Sequence, residues 1–393
     1  MGNICNSFTT SSRKIITLIF FAIMLAIIGI CYFTLLDEVA FSKKDWDKDV
    51  YKSLNALIVD HAGKNDYAVF DFDKTTIVHD VSNALLVYQV ENLKFADAPS
   101  HSFLDGIDDK DAILKGAEIS SREMGDTLKA EYNRMKARLS NGESLDSIRV
   151  SDDYLDFRAR FISFMDALGK TFPEEVWYAW MPGLLTGMTT EEAKDLISEA
   201  IDDQLGEDKL AVEEWTSPDG RWGGPVEKGI FLPEEMKDLY AALNDNGIDT
   251  YICSASLELI VETLACDSVR GLALSPERVY GLRFVDSPRI VAKYDSEYKQ
   301  PIKEGKVECI KTYIAPQYGD RGPVLVGGDS NGDVPMLTSF DDTRASLIID
   351  VKRNPESSIG QLAAKAKSED NEGRYLLQPA FAKPKGNIEF EGI

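Results

Sequence analysis

The sequence predicts an α/β fold: a mostly parallel sheet with helices on both faces, a large helical insertion, and a membrane-spanning helix ahead of the folded body. Three observations predict it. Short apolar runs each stop at a polar cluster, amphipathic stretches separate the later runs, and one long uncharged segment lies near the N-terminus.

The uncharged segment runs from Ile15 to Leu36. At about 1.5 Å per residue it is long enough to cross the hydrocarbon layer. Arg13 and Lys14 precede it and Asp37 and Glu38 follow it. The positive-inside rule then places residues 1–14 in the cytoplasm, the anchor at 15–36 and the body outside, at the periplasmic face or cell surface. A cleaved export signal is the alternative, but Glu38-Val39-Ala40 puts a charge where a cleavage site wants a small residue. Met1-Gly2 opens like a myristoylation signal, but position 6 is Asn rather than Ser or Thr.

Residues 37–76 read as a polar stalk, a first helix and the first strand, Tyr67 to Phe70, which stops at Asp71. Residues 77–230 carry helical signals and no comparable buried strand. Phe157, Phe161, Phe164 and Leu168 share one helical face, and Thr189 with Glu192 forms a capping box ahead of another. The Gly- and Pro-rich stretch from Ser217 to Gly229 reads as a loop back to the main domain. Residues 231–393 resume the alternation. A helix opens at Pro233, with Met236, Leu239, Tyr240 and Leu243 on one face, and a strand runs from Thr250 to Cys253. A helix with Ile260, Val261 and Leu264 comes next, then strands at 324–326 and 346–349. Ligands of such sheets bind at the carboxyl ends of the strands.

The chain has 393 residues, 44% hydrophobic, and a formal net charge of −23, which excludes the basic surface that nucleic acid requires. Its five cysteines form no CxxC pair and no zinc pattern, so no disulfide framework is expected.

Four polar clusters carry the chemistry. In Asp71-Phe-Asp73-Lys-Thr75, residues i and i+2 of an extended chain point the same way, so two carboxylates leave one strand end together; an Asx turn is the bland reading. Ser254, after the strand ending at Cys253, reads either as a helix N-cap or as a phosphate-oxygen ligand. Lys306 in a first helical turn opposes the helix dipole unless an anion sits there; Lys303 competes for the role. Gly327-Gly328-Asp329 ends a strand and is followed by Asp333, oxygen ligands suited to a hard cation.

In order and placement these clusters resemble the four motifs of the haloacid dehalogenase superfamily, from about Tyr67 to Asp350. DFDKT and GDSNGDVPML are similar to the phosphoserine phosphatase branch, except that Gly332 stands where that branch has Asn. The runs around Trp180, Tyr251 and Gly305 resemble exported phosphorylcholine phosphatase-like members. The resemblance implies a Rossmann-like core with a type 1 cap and phosphatase activity on a small-molecule phosphate ester of phosphocholine or phosphoserine type. Asp71 is then the nucleophile, forming an aspartyl-phosphate, and Asp73 the acid and base. Mg²⁺ is held by Asp71, the Asp73 backbone and Asp329, supported by Asp333. Ser254 and Lys306 hold the transferring phosphoryl group, and Thr75 orders the loop. Asp80, Trp177 and Trp180 are the expected pocket residues, with His79 a local hydrogen-bonding group. A non-catalytic, membrane-anchored binding protein on the same fold is the alternative from another class. Phosphate release by the wild type but not by Asp71→Asn separates the two.

Overall fold

The computed structural model describes residues 40–96, 102–351 and 354–382. The expected membrane anchor, the cytoplasmic tail, Cys5 and Cys31 lie outside the described residues. Among those described, no helix is long and apolar enough to cross a membrane. The residues from Lys43 onward belong to one unit, which holds all the elements named below.

Helix α1 spans Lys48–His61, its first turn capped by the Asp47 carboxylate, and leads into strand β1, Asp66–Phe70, buried along its whole length. Six α-helices then come without a sheet strand: α2 (Val81–Asn92), α3 (Ser121–Ser140), α4 (Leu145–Arg149), α5 (Asp152–Thr171), α6 (Glu174–Gly183) and α7 (Thr190–Gln204). Phe157, Phe161, Phe164 and Leu168 of α5 form the expected apolar face, and they pack with Phe95, Phe103, Tyr132 and Trp180 into one aromatic core. The capping box of Thr189 and Glu192 opens α7.

The insertion is not wholly helical. Strands β2 (Ala211–Thr216) and β3 (Gly223–Lys228) pair as an antiparallel hairpin, and the expected loop at 217–229 covers its turn and its second strand. Val212, Trp215 and Val226 point into the core while their neighbours face outward. Val212 and Trp215 lie three residues apart and glycines and a proline fill the run Gly-Gly-Pro-Val-Glu-Lys, so no period of two marks the hairpin in the sequence.

The remaining elements are α8 (Glu234–Asp245), β4 (Ile248–Leu257), α9 (Glu258–Ala265), β5 (Val279–Leu282), α10 (Glu304–Cys309), β6 (Leu325–Gly328), α11 (Val334–Thr338), β7 (Ala345–Asp350), α12 (Ser358–Ala366) and β8 (Tyr375–Pro379). The six-stranded sheet has the order β5-β4-β1-β6-β7-β8, and every pairing in it is parallel. The three central strands and β7 are legible as apolar runs. The edge strands β5 and β8 are not, because Gly281 interrupts the apolar run of β5, and Gln378 and Pro379 end that of β8. Strand β4 continues four residues beyond Cys253, so Ser254 lies inside it. Leu257 is the residue that caps α9, without a side-chain bond, and the N-cap reading of Ser254 does not hold.

Candidate active site

The register of the sheet builds the site. Phe70 of β1 lies opposite Ile252 of β4 on one side and Gly327 of β6 on the other. The next residues in each strand, Asp71, Cys253 and Gly328, therefore share a row, and Ser254 and Asp329 stand one residue beyond at the carboxyl edge. Three distant segments thus deliver their polar residues to one place. The glycines make room: a Cβ on Gly327 would stand 2.5 Å from the Phe70 ring, and one on Gly328 would stand 2.5 Å from the Asp333 Cβ.

At that edge Lys306 is buried and donates to Asp71 Oδ1 at 2.7 Å and to Asp333 Oδ1 at 2.5 Å. The other Asp333 oxygen accepts the backbone N–H groups of Asp329 at 3.0 Å and Ser330 at 2.9 Å, and the Ser330 hydroxyl at 2.9 Å. Thr75 donates its hydroxyl to Asp329 at 3.1 Å, tying the first cluster to the last. Carboxylate oxygens of Asp71, Asp329 and Asp333 lie within 4.8 Å of one another, and all three residues are buried. Three buried acids gather around one buried ammonium here, a surplus of negative charge that a low-dielectric site does not tolerate unaided. The donors are all oxygen, the set a hard divalent cation prefers, so the residues fit Mg²⁺.

Residues 153–338 match the family model of haloacid dehalogenase-like hydrolases. A haloacid dehalogenase-like hydrolase domain therefore occupies that part of the chain. The matched span holds Ser254, Lys306, Asp329 and Asp333, and the sheet register adds Asp71 to them. The hydrolase is 25% identical over 272 residues to the phosphorylcholine phosphatase of Pseudomonas aeruginosa, an alignment covering 67% of this chain and 61% of that protein. It is 30% identical, with a TM-score of 0.75, to the crystal structure of a conserved, functionally unknown protein from Anaerococcus prevotii, covering 90% of this chain and all of that one.

In the hydrolase, burial lifts the Asp71 carboxyl to about 7, with Asp333 adding repulsion and Lys306 opposing it. Burial, then Asp80, then Asp71 hold the Asp73 carboxyl well above the usual range. Asp73 is fixed in position by the Val81 N–H at 2.7 Å and the Ser256 hydroxyl at 2.6 Å. Sequence reasoning misses Ser256. The available signal is its spacing, since Ser254 and Ser256 are two apart on one strand and share a face. Ser254 is buried, and its hydroxyl oxygen accepts the Ser256 N–H at 3.1 Å.

Lys74, to which the motif assigns no role, adopts a left-handed backbone and reaches Glu227 of the hairpin at 3.1 Å. His79 meets the hairpin carbonyls of Lys228 and Gly229, each at 3.1 Å, a hydrogen-bonding role as expected. Asp80 caps α2 through the Asn83 N–H at 2.8 Å, and burial raises its carboxyl. The pocket role expected of Trp180 does not hold: the side chain is 0% exposed and its indole N–H is bonded to Phe103 O at 2.8 Å. Trp177 is half-buried against the same aromatic core, its ring 4.8 Å from that of Tyr178. Tyr178 is a cap aromatic within reach of the charges at this sheet edge. Burial and Glu174 raise its phenol, and the charges of Lys306, Asp333 and Asp80 all act on it.

Proposed function

We propose that this hydrolase is a Mg²⁺-dependent phosphomonoesterase that works through an aspartyl-phosphate on Asp71. The observation that carries the reading is the convergence of Asp71, Asp329, Asp333 and Lys306 at one sheet edge, with Ser254 beside them. Lys306 engages one Asp71 oxygen, which orients the carboxylate and leaves the other oxygen for attack on phosphorus. Ser254 and the Lys306 ammonium bind the transferring phosphoryl oxygens. Asp73, kept protonated by its surroundings and aimed by Val81 and Ser256, gives its proton to the leaving alcohol. As a carboxylate it then takes a proton from the water that opens the aspartyl-phosphate. Asp71, Asp329 and Asp333 would hold the Mg²⁺, which when bound neutralises charge between nucleophile and phosphate.

The substrate we infer is a small phosphorylated metabolite of phosphocholine or phosphoserine type. The resemblance to a phosphorylcholine phosphatase supports it, as do the carboxylates of Asp80 and Glu227 near Lys74 and Asp73. The same reading anchors the chain by the run Ile15 to Leu36 and places the catalytic body outside the membrane, supported by the charges flanking that run.

The test is phosphate release by the full chain from phosphocholine and phosphoserine, with Mg²⁺ or with a chelator. Release that needs the metal and vanishes in Asp71→Asn supports the proposal. Equal activity of wild type and variant, or no release from any ester, refutes it.

A further inference from the structure

Away from the catalytic edge, a cavity of about 270 Å³ opens in the insertion, lined by Glu91, Asn92, Arg149, Tyr154, Arg158 and Asp203. Four helices build it: the end of α2, the end of α4, the first half of α5 and the end of α7. None of the groups assigned to phosphate-ester chemistry lines it.

Arg158 is the unusual member. Its guanidinium packs on rings, 5.4 Å from that of Trp215 and 5.9 Å from that of Tyr154. Its Nε is buried without a hydrogen-bond partner among the described residues. Stacking engages the faces of a guanidinium and leaves its in-plane N–H groups to oxygen acceptors. In a chain with a net charge of −23, an arginine seated on rings rather than on carboxylates is itself notable. The other charges on the wall are already engaged. Lys228 pairs with Glu91 at 2.7 Å. Arg149 donates to Glu91 O at 2.8 Å and to Asn92 Oδ1 at 2.9 Å. Asp203 is exposed and accepts the Gln204 amide at 2.6 Å.

We propose that this cavity is a binding site for a small oxyanion, a carboxylate or phosphate group received by the Arg158 fork with Arg149 alongside. Arg158 lines the cavity without a carboxylate of the described residues paired to it, so an oxyanion is the ligand that complements its charge there, and planar two-oxygen groups match the guanidinium best. The volume admits a metabolite of amino-acid or sugar-acid size. Asp203 favours one that also carries an ammonium or hydroxyl donor. Helix α2 connects the two sites, since its first residue, Val81, holds Asp73 and its last, Asn92, lies on the cavity wall.

The experiment is isothermal titration of the full chain with L-glutamate and with inorganic phosphate. The phosphate arm uses the Ser254→Ala background so that the catalytic edge does not dominate the heat. Arg158→Gln is expected to weaken whichever probe binds by about tenfold or more. Asp203→Asn, which removes a repulsive wall charge, is expected to tighten phosphate. Glutamate alone binding marks a carboxylate site, and phosphate alone a phosphate site. The proposal is overturned if neither probe binds at about 10 mM, or if whichever probe binds the wild type binds Arg158→Gln as tightly. Should Arg158→Gln fail to fold, Arg158→Lys, which keeps the charge but loses the two-pronged fork, is titrated with the probe that binds, and an unchanged affinity overturns the proposal instead.

Discussion

Burial lifts one carboxyl group to about 7 at the sheet edge and another to about 7 inside the helical insertion, yet the two places are built for different ends. Asp71 at the edge shares one ammonium with Asp333, while the carboxylate of Asp329 stands close by and the Asp73 carboxyl, held protonated, lies beside them. Glu131 on α3 and Asp156 on α5 share the Arg160 guanidinium, at 3.3 Å and 2.5 Å. That guanidinium also stacks on Trp222, 4.9 Å away. The second cluster is assembled by helix periodicity between two neighbouring helices, and its charge is close to balanced once one acid keeps its proton. The first is assembled from separate strand ends, carries surplus negative charge and aims hydroxyls and backbone N–H groups at the same point. A displaced pKa therefore reports burial. Convergence of distant segments on an unbalanced charge is what reports chemistry.

The comparison breaks most sharply at Asp71, the proposed nucleophile. Asp71→Asn is expected to lower phosphate release by about 10⁴-fold or more, while Glu131→Gln leaves it within a few fold. A turnover assay on both variants decides, and a matching loss in the two would erase the distinction. Next in size is Lys306→Ala. It strands buried carboxylates and is expected to cost about 3–5 kcal/mol of stability, read by denaturant unfolding; Mg²⁺ recovers part of the loss if the surplus charge is the cause. No metal dependence of unfolding in that variant would argue against a cation at this edge.

Trp180→Phe removes one buried hydrogen bond and some packing in the aromatic core, and about 1–3 kcal/mol is expected. Its KM should stay at the wild-type value, because the indole lies in the core and not in the pocket; a raised KM would return it to the substrate site. The smallest effect is one of pH. The Glu131 carboxyl sits above its ordinary value of 4.5, so the fold favours the protonated form. That contribution is complete below about 4.5 and is lost as pH rises through about 7. Wild-type thermal stability should therefore decline across this window relative to Glu131→Gln, and the two curves should run parallel if the acid is in fact ionised throughout.

The residues proposed for the site are legible in the sequence because each closes a short apolar run or opens a helix, a pattern that survives without any contact information. Asp71, Ser254, Lys306 and Asp329 can all be read this way. Ser256, the latch between Lys74 and Glu227, and the ring-stacked Arg158 cannot, since their partners lie 183 residues away, in a hairpin masked by glycines, or on rings of other elements.

What the residues alone determined is the alternation of buried strands and amphipathic helices, the polar punctuation at strand ends and the resemblance those motifs carry. Local periodicity and turn chemistry are properties of neighbouring residues, so they need no fold to be seen. The tertiary structure decided which side chains share a charge, that Trp180 belongs to a core and Tyr178 to the catalytic surroundings, and where an arginine lies with an N–H edge left over. Those depend on sheet register and helix packing, which bring together groups separated by hundreds of residues and remove water from between them.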